Sequence, residues 1–113
     1  MILSIILPCL IAIESGGRTQ VTGDSGRAVG ILQQWKISVR EANRIVGTNR
    51  WTYADRLDPA KSKAMCFATL AHHFRRGTTN AVDLACKWNR PYGKQNLKYR
   101  KKVEKYLLTH PAK

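Results

Sequence analysis

Glu14 is the only acidic residue among the first 23, and it follows the apolar run Cys9-Leu10-Ile11-Ala12-Ile13. A carboxyl in such surroundings resists ionisation, because losing water penalises its charged form. A general acid needs that condition, since it must carry a proton near neutral pH. Cleavage of a glycosidic bond uses one to protonate the leaving oxygen. The next acidic residue, Asp24, lies in a glycine-rich stretch. As a second carboxylate aimed at water it would make the pair a hydrolase; in inverting enzymes such groups stand roughly 6.5 to 9.5 Å apart. Asp followed by Ser25-Gly26 equally suits a local Asx-type turn, and the residues alone leave both readings open.

Other reactive residue types fall into no comparable pattern. Cys9, Cys66 and Cys86 are too few and scattered for a disulfide framework and lack paired zinc-ligand spacing. They read as small buried hydrophobes, with a Cys66 to Cys86 link as the alternative in an oxidising compartment. His72, His73 and His110 also lack metal-ligand spacing, so neither metal nor cofactor is expected.

The elements that would position Glu14 read as helices separated by loops. Pro8 suits the first turn of a helix over residues 8–15, which puts Glu14 near its C-terminal end. There the helix dipole further disfavours a negative charge. Met1 to Ile13 is nearly all apolar but lacks a basic start, and its 13 residues fall short of the roughly 20 that span a bilayer. A buried core segment is expected, with no membrane span. From Gly16 to Gly30 five glycines stand among Ser, Thr and Asp. That composition predicts turns or a short hairpin, with extended pieces near Thr19–Thr22 and Ala28–Leu32.

A helix over Ser38–Val46 should end at Gly47. Asp58 should cap a longer one with Pro59 first, an inward stripe of Phe67, Leu70, Ala71 and Phe74, and Gly77 at its end. Thr79 or Asn80 can cap a helix running to about Trp88 and carrying Ala81, Leu84 and Ala85 inward. A last helix, Asn96 to Leu108, would turn Tyr99, Val103, Tyr106 and Leu107 to one face. The expected fold is mainly α, α+β at most. It comprises about five helices and a small hairpin near residues 18–33, in one domain over residues 1–113.

The string Glu14-Ser15-Gly16-Gly17, followed by Gly23-Asp24-Ser25-Gly26-Arg27-Ala28-Val29-Gly30-Ile31-Leu32-Gln33, resembles the signature of the lysozyme-like superfamily. That group includes soluble lytic transglycosylases and goose-type lysozymes. Ala85-Cys86-Lys87-Trp88-Asn89, then Tyr99 and Val103, is similar to the family's later motifs, although Arg90-Pro91 stands where many relatives place a small residue and Gly. The resemblance implies a lysozyme-like domain cutting the MurNAc-GlcNAc bond of peptidoglycan glycan strands. It implies Glu14 as the acid, supported by Ser15, with Gly30 and Gln33 lining the sugar cleft. Trp88 would stack on a sugar face, Asn89 would bind substrate, and Tyr99 would hydrogen-bond Glu14. A bare glycine backbone lets a sugar ring approach closely, and a glutamine amide offers both donor and acceptor. With Asp24 engaged the enzyme would be a hydrolase, as in goose-type lysozymes. Without it, Glu14 would act as acid and then base while the substrate's own 6-hydroxyl attacks.

Twenty Lys and Arg against seven Asp and Glu give a formal charge of +13, which draws the chain toward polyanions. An anionic cell envelope fits, for a monomer acting at the bacterial envelope, outside the cell, or from a phage on its host's wall. The rival class is a nucleic-acid-binding module, since Lys87, Arg90, Lys94, Lys98, Arg100, Lys101, Lys102 and Lys105 crowd the C-terminal quarter, with Trp88, Tyr92 and Tyr99 interleaved. No nucleic-acid motif accompanies them, so no specific nucleic acid is expected. A non-catalytic wall-binding protein is the third reading.

Overall fold

The computed structural model describes residues 2–111. The apolar N-terminal run forms α1, Ile2–Glu14, burying Leu3, Ile6, Cys9 and Leu10 at helical spacing. This corrects the expected start at residue 8, because Pro8 stands inside the helix and not in its first turn. A proline there costs about 3 kcal/mol. Burying Leu3 and Ile6 returns about 1.5–3 kcal/mol each, enough to carry the helix through it. Met1, at the edge of the apolar run, lies outside the described residues.

A two-stranded antiparallel hairpin follows: β1, Thr22–Gly23, pairs with β2, Ala28–Val29, in the register Thr22 to Val29 and Gly23 to Ala28. Both strands are shorter than expected, and a tight turn over Asp24–Gly26 joins them. Helix α2, Lys36–Val46, ends at Gly47 in the left-handed conformation, whose N–H donates to the Asn43 carbonyl at 2.9 Å.

Helix α3 spans Pro59–Arg75, with the Asp58 carboxylate accepting from the Lys61 N–H at 3.1 Å. Its inward face is Ser62, Met65, Cys66, Thr69, Leu70 and His73, whereas Phe67 and Phe74 are exposed. The expected apolar stripe is thus correct at Leu70, buried, and at Ala71, packed against the core, and wrong at Phe67 and Phe74. The true face follows the same 3.6-residue period but carries small and polar residues, which a search for large apolar side chains passes over.

Helix α4, Ala81–Asn89, is capped by Asn80, whose Oδ1 accepts from Val82 and Asp83 N–H at 3.0 and 3.2 Å. Asn96 caps α5, Leu97–Thr109, in the same way. Helices α1, α3, α4 and α5 close one core around Ile6, Leu10, Leu32, Leu70, Leu84 and Val103. A smaller cluster of Val39, Ala42, Trp51 and Met65 joins α2 to α3. The fold is mainly α with a small β-hairpin in one domain, and its radius of gyration of 13.2 Å suits one domain of this length. The three cysteines are buried and free, so Cys66 and Cys86 are not linked. Among the described residues no helix is long and apolar enough to cross a membrane.

Candidate functional site

Glu14 is the last residue of α1, so the helix that fills the core also delivers the carboxyl to its edge. Burial drives its pKa from the ordinary 4.5 up to about 7. The Tyr99 hydroxyl donates to Glu14 Oε2 at 2.8 Å, the pairing the resemblance implies, and this bond favours the charged form. The charge of Asp24 adds to the rise, and Lys102 opposes it. Tyr99 keeps its own proton, since burial and the neighbouring carboxylate push its pKa upward.

The carboxyl opens into a cleft of about 490 Å³ between the hairpin, α2, α3, α4 and the loop after α4. That volume is in the range of small-molecule sites. Of the residues singled out from sequence, Glu14, Asp24, Gln33, Trp88 and Asn89 line it. The Trp88 indole N–H donates to the Leu32 carbonyl at 3.1 Å, which fixes the ring at the cleft wall. Gln33 Nε2 donates to the Val21 and Gly30 carbonyls at 3.1 and 2.9 Å. Both amide hydrogens are then used within the loop, so Gln33 has only its oxygen left to offer a ligand. The Asp24 carboxylate accepts from the Trp35 indole at 3.3 Å and is not folded back onto its own turn.

Ser15, Gly30 and Tyr99 are not among the cleft-lining residues. Ser15 is buried; its hydroxyl donates to the Ile11 carbonyl at 3.3 Å and accepts from the Gly17 N–H at 3.1 Å. It thus closes the end of α1 rather than meeting a ligand. Gly30, with φ +86°, packs against the Arg56 carbonyl, where a Cβ would overlap the oxygen. Its bare backbone serves a close approach of chain to chain, not of sugar to chain. Tyr99 acts on the cleft only through Glu14.

The rest of the lining was not singled out as such from sequence, and it includes Trp35, Ile37, Glu41 and Tyr92. Trp35 and Tyr92 stand 39% and 65% exposed, so both rings are accessible from the cleft. The Tyr92 hydroxyl donates to Glu41 Oε1 at 3.0 Å, joining the loop after α4 to α2. The one sequence signal for Trp35 was its place two residues after Gln33. Pattern alone cannot separate an exposed ring from a core one. A group that holds a proton near pH 7, a second carboxylate and several aromatic faces thus share one open cleft, an arrangement able to protonate a bound ligand. Compared with family models, curated proteins and solved structures, the chain matches none of them.

Proposed function

We propose that this protein cleaves the MurNAc-GlcNAc bond of peptidoglycan glycan strands, as a lysozyme or lytic transglycosylase of the lysozyme-like superfamily, with Glu14 as general acid. The observation that carries the reading is Glu14 itself: a carboxyl with its pKa raised to about 7, held by Tyr99, at the wall of an open cleft. Trp35, Trp88 and Tyr92 supply apolar faces for sugar rings, and Asn89 and the Gln33 oxygen supply polar contacts. Glu14 gives its proton to the glycosidic oxygen as the bond to C1 breaks. Then either water adds at C1 and loses a proton to Asp24, or the sugar's 6-hydroxyl adds and returns its proton to Glu14. The formal charge of +13 suits a site of action on an anionic bacterial wall.

Glu14→Gln, assayed on purified peptidoglycan, should abolish lysis, a loss of at least about 100-fold for a missing general acid. Undiminished lysis would overturn the assignment. Product mass separates the two routes, because only hydrolysis adds a water.

A further inference from the structure

We infer that Trp35 is a positioning residue, whose indole N–H holds the Asp24 carboxylate in the cleft that Asp24 shares with Glu14. Asp24 is exposed at the corner of the hairpin, where an unheld carboxylate would swing into water. Among the described residues the Trp35 indole is the one donor to that side chain, at 3.3 Å. The ring has a firm base: Val29 and Gln34 exchange both backbone hydrogen bonds at 3.0 Å, tying the residue before Trp35 to β2. The Arg27 guanidinium lies over the ring, 5.6 Å from its centre. Asp24 and Ser25 both adopt left-handed backbone, at φ 50° and 60°, a conformation that non-glycine residues keep only where their surroundings impose it.

The consequence falls on Glu14. The groups acting on it are Tyr99 and Lys102 from α5 and Asp24 from the hairpin turn, while its own charge helps raise the pKa of the buried Cys66 thiol on α3. A carboxylate pinned in the same cleft discourages Glu14 from ionising. Trp35 therefore helps keep the proton on Glu14 without touching it. This deepens the assignment of Glu14 as the acid and rests on it for its meaning, although the geometry can be tested without substrate.

The test is a carboxyl carbon NMR titration of Glu14 in the unmodified protein, Trp35→Phe, Asp24→Asn and the double variant. Trp35→Phe removes the N–H donor while leaving a smaller aromatic ring beside Arg27. The Glu14 midpoint should fall in Trp35→Phe and fall at least as far in Asp24→Asn, with no additional fall in the double variant. A midpoint that moves in Asp24→Asn but not in Trp35→Phe overturns the positioning role, and so does one that moves in neither. Lysis assayed on the same proteins reports separately on the proposed activity: an inactive unmodified protein defeats that reading and leaves the titration result standing.

Discussion

The Tyr99 hydroxyl meets the Glu14 carboxylate at 2.8 Å, joining the end of α1 to the first turn of α5 across 85 positions of sequence. A bond donated to a carboxylate favours the charged form, so here it works against burial. In Tyr99→Phe that support is gone, and the Glu14 pKa should rise above about 7. In the proposed mechanism lysis needs the protonated acid, so its alkaline limb should move to higher pH; a limb that stays or moves down contradicts the assignment. A pH–rate profile of both proteins checks this.

Glu14 should also tie stability to pH. Its folded pKa, about 7, lies above the ordinary 4.5, so between those values the folded state binds more protons than the unfolded one. Stability is then fully present below pH 4.5, falls as pH rises to about 7 and is flat above. The difference is on the order of 3 kcal/mol. Glu14→Gln removes that loss, so it should be more stable than the unmodified protein at pH 8 and near equal at pH 4. Urea unfolding at the two pH values measures it.

Gly30→Ala should destabilise the fold by about 3 kcal/mol or more, combining left-handed backbone strain with overpacking. The added methyl would meet the Arg56 carbonyl at a residue whose φ is +86°. Thermal unfolding reports it, and a variant as stable as its parent would show that the loop and the Tyr53–Leu57 turn do not pack as described.

On α3, Leu70→Ala should cost about 2–5 kcal/mol, since Leu70 is buried in the main core. Phe67→Ser, three residues earlier and 45% exposed, should change stability by less than about 1 kcal/mol. Equal costs would mean that the helix presents another face to the core.

Much of the local structure was readable because its causes are local. Asp58 with Pro59, Asn80, Asn96 and Gly47 mark helix ends through hydrogen bonds and dihedral angles that involve only near neighbours in sequence. The start of α1 and the inward face of α3 were not readable in this way. Pro8 argues for a boundary that distant packing overrides, and Ser62, Thr69 and His73 are inward only because other helices cover them. In the cleft, Glu14, Asp24, Gln33, Trp88 and Asn89 come from motif-bearing segments, whereas Trp35, Glu41 and Tyr92 come from segments with no such mark.

A mainly helical chain with a glycine-rich hairpin and one carboxyl following an apolar run is legible from residue order, because propensity, capping and periodicity act over a few residues. What surrounds that carboxyl depends on packing. Burial, the Tyr99 hydroxyl and the charges of Asp24 and Lys102 all reach Glu14 from other elements, and α5 brings two of them from the far end of the chain. The same holds for Gly30, whose need for a missing side chain is set by a carbonyl 26 residues further along, at Arg56. Contact between distant segments is a property of packing, and no local pattern encodes it.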